Sequence, residues 1–299
     1  MHIVEHLARM GGVSSRAALI QVGSRRTVDR ALRRREIVRD ARGRYALPSA
    51  LDALRVASAM SGVVSLGSAA TYWGWEQKRV PERPDVTVPR NRKVSADDQR
   101  RACVHWADLT ASEVHNGIVT TKARTLVDCL TALGFDEALA IADSALRHDD
   151  ITREEVLHLT ERLRGPGSAQ ARRVAPLATG RSANPFESVL RAITLSVPGV
   201  VFEPQVPIDL VSGTVHPDLT DRRLGIVAEA DSFSWHGDRR SLWRDCRRYN
   251  RLVLAGWVVL RFVWEDVILH PDYVRDCLIT ARDLVARRAQ RRSARRKAA

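Results

Sequence analysis

The segment HPDLTDRRLGIVAEADSFSWH, residues 216–236, decides how the second half of this 299-residue chain reads. Ile226–Val227–Ala228 runs straight into Glu229, the pattern of a largely buried strand. Ahead of it stands the turn Asp221–Arg222–Arg223, so the segment predicts one strand ending at Asp218 and a second over Leu224–Asp231. Glu229 and Asp231 are two apart and face the same side of a strand. Asp218, Glu229 and Asp231 are therefore expected to converge at the ends of two adjacent strands. Like charges so close repel unless they are protonated or bridged by a cation. A hard, oxygen-seeking ion such as Mg²⁺ or Mn²⁺ suits them, and it would polarise a phosphodiester and generate hydroxide from water. The competing reading is an amphipathic strand showing two acids to water. The apolar run leading into Glu229 speaks against it, because unpaired charge is costly in a buried strand.

Working outward, Asn184–Pro185–Phe186–Glu187 has the form of a capping box, with Pro at the first helical position. A cap explains Glu187 without a metal, and both roles remain open. Strands are expected near Val200–Phe202, Gln205–Leu210 and Trp257–Val263, with helices from about Arg240 to Ala255 and from Asp272. This is α/β with one central sheet. The stretch Arg239–Arg251 carries six arginines, and the tail Arg287–Lys297 adds seven positive charges, expected to stay mobile and grip phosphates.

The N-terminal 48 residues read as helix, helix, helix and hairpin. Ile3, Leu7 and Met10 share a helical face; Ser14 or Ser15 caps a second helix and Ser24 a third. Val28, Ala31 and Leu32 turn inward on the third, which bears Arg25, Arg26, Arg30, Arg33, Arg34 and Arg35. Glu36–Arg39 then meets Arg44–Leu47 across Asp40–Ala41–Arg42–Gly43. This is the plan of a winged helix-turn-helix, with one helix for the major groove and a basic wing, Arg42 and Arg44, beside the backbone. Guanidinium groups bind phosphate or guanine edges in two places, so Arg25, Arg26, Arg30, Arg33, Arg34, Arg42 and Arg44 are the candidate DNA contacts.

Charge follows the same division. The chain has 48 basic and 35 acidic residues, a formal net charge of +13. Residues 1–48 hold 11 basic and 4 acidic side chains, residues 49–165 hold 15 and 17, and residues 166–299 hold 22 and 14. Two basic ends around a neutral middle suit a polyanion held by the ends. The middle reads as mixed α/β, with strands at Val86–Val88, Val104–Trp106 and Ile118–Thr120. Helices follow at Thr121–Leu133, Asp136–Leu146 and Thr152–Leu163, and Arg124 and Asp128 are spaced to pair. It carries no catalytic constellation; His105 and His115 read as surface or core residues. Gly165–Pro166–Gly167 is a candidate hinge. Four scattered cysteines form no C-x-x-C pair, which argues against a zinc site. No apolar run reaches the ~18 residues of a membrane span, and no signal peptide is evident, so a cytoplasmic location is expected. The expected domains are residues 1–48, 49–165, 166–285 and a basic tail, 286–299.

Two resemblances sharpen this. GGVSSRAALIQVGSRRTVDRALRRREIVRDARGRYAL, SLGSAATYWGW, DVTVPRNR and VTTKARTLVDCL resemble AbiEi-type antitoxins, which implies DNA binding by the N-terminal domain and a possible toxin partner. NPFESVLRAI, HPDLTDRRLGIVAEADSFSWH and RDCRRYNRLVLAGWVVLRFVWEDV resemble the PD-(D/E)XK nucleases, in the branch related to very-short-patch repair endonucleases. That resemblance implies Glu187 as the helix carboxylate, Asp218 as the central metal ligand and Glu229 as the second ligand, with Gln205 nearby. The superfamily's usual lysine is here Asp231, and no lysine lies in the domain before Lys297. Relatives of the repair branch use a nearby histidine instead, which makes His236 the candidate general acid or base. The expected function is a Mg²⁺- or Mn²⁺-dependent DNA endonuclease acting on duplex DNA in defence or repair. The rivals are an antitoxin-type transcriptional regulator with an inactive nuclease fold and an RNA-directed protein.

Overall fold

The computed structural model describes residues 3–211, 213–231 and 239–298. The chain divides into two compact units, residues 1–132 with 155–171 and residues 133–154 with 172–299, and its architecture is mixed α/β.

The first unit opens with α1 (Ile3–Arg9), β1 (Val13–Ser15), α2 (Arg16–Val22), α3 (Arg25–Arg33), β2 (Val38–Ala41) and β3 (Arg44–Ala46). Ser15 accepts the Ala18 N–H at the head of α2, and Ser24 and Thr27 close a capping box on α3. These caps satisfy N–H groups that have no partner inside the helix. The strands form an antiparallel sheet in the order β1-β3-β2. The hairpin begins two residues later than expected because Ile37 turns into the core formed by Ile3, Leu7, Leu19, Val28, Ala31, Ile37 and Tyr45.

Next come α4 (Asp52–Ala59), β4 (Val63–Val64), α5 (Leu66–Tyr72), β5 (Asp85–Val88), α6 (Ala96–Arg101), β6 (Cys103–Trp106), β7 (Val114–His115), β8 (Val119–Thr120) and α7 (Lys122–Ala132). They build a mixed sheet in the order β6-β5-β4-β8-β7. Arg124 meets Asp128 at 2.8 Å and also Glu113 at 2.6 Å. His105 Nε2 lies 3.0 Å from Asp85 Oδ1, a structural pairing. At the expected hinge, Gly167 has φ +75°, and a Cβ there would sit 2.0 Å from the Thr131 carbonyl oxygen. That glycine is a tight packing point inside the first unit.

The chain continues through α8 (Phe135–Arg147), α9 (Arg153–Glu161) and α10 (Ser168–Val174). The second unit then adds α11 (Pro185–Thr194), β9 (Glu203–Pro204), β10 (Ile208–Leu210), β11 (Gly213–Val215), β12 (Leu219–Asp221), β13 (Ile226–Asp231), α12 (Arg239–Leu254), β14 (Val258–Val263), α13 (Trp264–Leu269) and α14 (Pro271–Ala298). Its sheet runs β14-β13-β12-β9, with β10 and β11 as a separate hairpin. β13 and β14 are parallel and joined through α12, whereas β12 is antiparallel to both β13 and β9. On one side of the sheet Ile226, Ala228 and Phe262 pack with Leu190 and Ile193 of α11 and Leu278 of α14. On the other, Val227 packs with Leu252 of α12 and with Ile208 and Val215 of the hairpin.

Three expectations differ from this arrangement. Asp218 does not end a strand; it immediately precedes β12, because Pro217 has no N–H to give to a ladder. Residues 133–154, read as part of the middle module, group with the second unit. The basic tail continues α14 as helix to Ala298.

The second difference has a clear cause. Asp143 of α8 is fully buried, and Arg191 of α11 reaches both its oxygens at 2.8 and 2.7 Å. Ser188 Oγ and the Thr179 N–H donate to the same carboxylate at 2.7 and 2.8 Å, and Arg191 also donates to the Leu177 carbonyl at 2.8 Å. Removing one partner strands a buried charge. Asp143→Ala is expected to lower the unfolding free energy by about 3–5 kcal/mol, and a change under about 1 kcal/mol in urea titration would refute the clamp.

Candidate functional site

Alternation along β13 decides which way its acids point. Ile226, Ala228 and Ala230 face the larger core, so Val227, Glu229 and Asp231 face the side covered by α12. Two strand residues span about 6.7 Å and four helical residues about 6 Å. Arg248 therefore stands over Glu229 much as Leu252 stands over Val227. Arg248 donates to Glu229 Oε2 at 3.2 Å. Glu229 is 1% exposed, and its other oxygen, Oε1, has no hydrogen-bond partner among the described residues.

Asp218 enters from the neighbouring strand. Leu219 pairs with Ala228, and Asp218 Oδ2 accepts the Ala230 N–H at 2.8 Å. Gln205 joins this acid to a third. Its backbone is left-handed (φ 54°), and its N–H donates to the Asp218 carbonyl at 3.0 Å. Its side-chain amide donates to Asp218 Oδ1 at 3.3 Å and Glu187 Oε2 at 3.1 Å. A non-glycine residue held there costs of order 1–3 kcal/mol, and such strain clusters at functional sites.

Glu187 does cap its helix. It accepts the Ala183 N–H at 2.8 Å and the Asn184 amide at 3.0 Å, while its own N–H donates to Asn184 Oδ1 at 3.0 Å. The cap and the link through Gln205 coexist, so one carboxylate serves both the helix end and the acid cluster.

Burial, and then the charge of Asp218, push the Glu229 carboxyl up to about 7. Burial also raises Asp218, and burial followed by the Asp218 charge raises Glu187. Asp231 is half-buried and ion-paired to Arg261 instead of joining the pair. Among the described residues no group of three or more His, Cys, Asp or Glu side chains is set to hold a metal ion. The donor set that suits a hard divalent ion is the pair Asp218 and Glu229, whose buried Oε1 has no hydrogen-bond partner among the described residues. Glu187 is tied to that pair through Gln205. His236 lies outside the described residues.

Sequence reasoning missed three side chains here. Arg248, Tyr249 and Arg261 surround the acids: Arg248 donates to Tyr249 Oη at 3.0 Å, and the Arg261 guanidinium carbon lies 3.9 Å from the Tyr249 ring centre. The i,i+4 spacing of Arg248 and Leu252 was a usable signal. So was the parallel pairing of Glu229 with Arg261, once β14 is docked beside β13. In the first unit Arg25, Arg26, Arg30, Arg33 and Arg34 are exposed on or just beyond α3, Arg42 is exposed in the hairpin turn, and Arg44 is half-buried.

No family model matches this chain. Two relatives from Mycobacterium tuberculosis, the uncharacterized proteins MT2308 (strain CDC 1551 / Oshkosh) and Rv2248 (strain H37Rv), are each 28% identical over 233 residues. These matches cover 74% of this chain and 81% of the relatives. The crystal structure of the Rv2827c protein from the same species is similar at a TM-score of 0.33 and 16% identity, over 63% of this chain and 78% of that one. Among the described residues no helix is long and apolar enough to cross a membrane.

The acid pair sets a pH dependence. An unfolded glutamate titrates near ~4.3, whereas folded Glu229 holds its proton up to about 7. Between those values the folded state binds the proton that the unfolded state has released. The contribution of Glu229 is thus fully present below the window and lost as pH rises through it. In EDTA, the wild-type protein is expected to lose more stability between about pH 5 and about pH 8 than Glu229→Gln does. Equal losses in urea titrations would show that Glu229 is not the group responsible.

Proposed function

We propose that this protein binds duplex DNA through its N-terminal helices and hydrolyses phosphodiester bonds at the acid pair of its second unit, as a Mg²⁺- or Mn²⁺-dependent endonuclease. The observation that carries the reading is the meeting of half-buried Asp218, just ahead of β12, with buried Glu229 of β13, whose Oε1 has no partner among the described residues and which has an arginine beside it. The β13–α12–β14 order and the helix-borne Glu187 agree with the PD-(D/E)XK resemblance. Two short capped helices followed by a hairpin agree with a winged helix-turn-helix and with the antitoxin-type resemblance.

Asp218 and Glu229 would hold the ion, with Glu187 steadying Asp218 through Gln205. A bound divalent ion supplies Lewis-acid polarisation of the phosphodiester and a more acidic water. Gln205 keeps Asp218 oriented, since its amide can only donate to that oxygen. Arg248 offsets the charge of Glu229 before substrate arrives. His236 is the candidate for moving protons, on the sequence alone.

A second reading has its own observation. Glu229 and Asp231 already have arginine partners and the sequence has no lysine between Lys122 and Lys297, which suits a DNA-binding regulator with an inactive nuclease fold. Supercoiled plasmid with Mg²⁺ or Mn²⁺ against EDTA separates the two. Nicking that Asp218→Asn abolishes, with duplex binding intact, is the expected result; no cleavage of duplex, mismatched or single-stranded DNA under either metal leaves the regulator. Cleavage of RNA alone would move the substrate class.

For DNA binding, Arg25→Ala, Arg26→Ala and Arg30→Ala combined should weaken duplex affinity. The salt dependence should also flatten, by about 0.9 in log–log slope for each phosphate that the variant leaves unneutralised. Unchanged gel-shift titrations would remove α3 from the binding surface.

A further inference from the structure

Two guanidinium groups meet at one aromatic ring beside the acid pair. Arg248 comes from α12 and Arg261 from β14, two elements whose placement depends on the same crossover. The Arg248 and Arg261 guanidinium carbons lie 5.0 and 3.9 Å from the Tyr249 ring centre. Each is also held by an acid of β13, Arg248 by Glu229 and Arg261 by Asp231. Cation–π stacking with an ion pair fixes a guanidinium far better than either contact alone.

These arginines do more than neutralise the acids. A guanidinium has five N–H donors in a planar fork. Arg261 spends one nitrogen on Asp231, and its side chain remains 39% exposed. Arg248 uses one nitrogen for both Glu229 and Tyr249 and its side chain is 30% exposed; its Nε, buried and without a partner among the described residues, is not open to a ligand. The chain has no lysine between Lys122 and Lys297, and among the described residues the cations paired with these acids are arginines.

We infer that Arg248 and Arg261, braced on Tyr249, form a two-pronged seat for a phosphate group, with Glu229 and Asp231 holding the guanidiniums in place until a phosphate takes their free donors. This rests on the nuclease reading and names the residues that would grip the scissile phosphate. Planar, paired N–H donors match phosphate oxygens, and donors fixed beforehand need no reorganisation when charge builds on those oxygens.

The test uses the full-length protein and two probes, Mn²⁺ and inorganic phosphate, titrated by calorimetry. Phosphate is added to the Mn²⁺-saturated protein, or to the metal-free protein if no Mn²⁺ binds. Arg248→Gln and Arg261→Gln are each expected to weaken phosphate binding by about 10-fold or more, the usual loss for a hydrogen bond to a charged group. Their Mn²⁺ affinity should hold or tighten, since a neighbouring positive charge is gone. Arg261→Lys should recover part of the loss, because a point charge replaces half of what the fork does. Phosphate affinity within twofold of wild type in both Gln variants overturns the seat. So does loss of Mn²⁺ binding together with a lowered melting temperature in both Gln variants and in Arg261→Lys, which would make the arginines structural counter-charges. Plasmid nicking is scored separately: a wild-type protein that binds phosphate through these arginines yet cuts nothing loses the nuclease reading and keeps the seat.

Discussion

Asp143 and Arg191 carry opposite charges in a place where neither meets water, and the second unit is arranged around that fact. Taking an ion pair out of water costs several kcal/mol per ion, recovered only when the geometry is good and the remaining donors and acceptors are filled. Here that requires α8, α11 and residues 177–179 to arrive together, because Ser188, the Thr179 N–H and the Leu177 carbonyl supply the remaining bonds and leave only the Arg191 Nε without a partner among the described residues. Arg191 is one helical turn from Glu187, on the same face of α11. Pinning the arginine therefore fixes the rotation of the helix, and with it the direction in which Glu187 meets Gln205. Asp143, far from the acids in sequence, thus governs through Arg191 how Glu187 is presented.

The crossover from β13 through α12 to β14 does the corresponding work on the other side. A parallel pair needs a connection that runs back over the sheet, and this one is a helix rich in arginine. Its inner face must be apolar where it meets Val227 and cationic where it meets Glu229. Leu252 and Arg248 meet those two demands one turn apart. The result is an acid kept in a buried strand position by a guanidinium that still reaches solvent.

Much of this was legible in the chain. Ser15 and Ser24 announced α2 and α3, the run Ile226–Ala228 announced β13, and Asn184–Pro185–Phe186–Glu187 announced the head of α11, because caps and buried strands are local patterns. Asp218 and Glu229 also come together as the spacing implied. The departure of Asp231 from the expected cluster was not legible, since a side chain two residues along faces the same way yet turns toward whichever partner is nearer. That partner, Arg261, lies 30 residues on and becomes a neighbour only when β14 docks. The allegiance of residues 133–154 was hidden for the same reason: Asp143 and Arg191 are 48 positions apart. Interactions of long sequence separation escape a reading built on periodicity.

Stability alone gives a poor account of Glu229. Its carboxyl is almost wholly buried, one oxygen has no partner among the described residues, and Asp218 opposes its ionisation. An apolar residue of similar size would avoid the desolvation of both Glu229 and Arg248, and such replacements are often neutral or stabilising. Gln205 adds a left-handed backbone at the same spot, a second local cost. Costs of this kind persist where surrounding structure over-determines them, and here the caps of α11, the Ala230 N–H and the Tyr249 platform all serve to hold charged groups in fixed positions. If the acid pair acts as a nuclease centre, that expense is the preorganisation of a phosphodiester site: oxygens set for a cation, guanidiniums set for a phosphate, and neither free to relax away. A fold needing only a sheet and two helices would gain nothing from a desolvated carboxyl beside a second acid, and under the proposed reading that cost is what holds both in place for a phosphate.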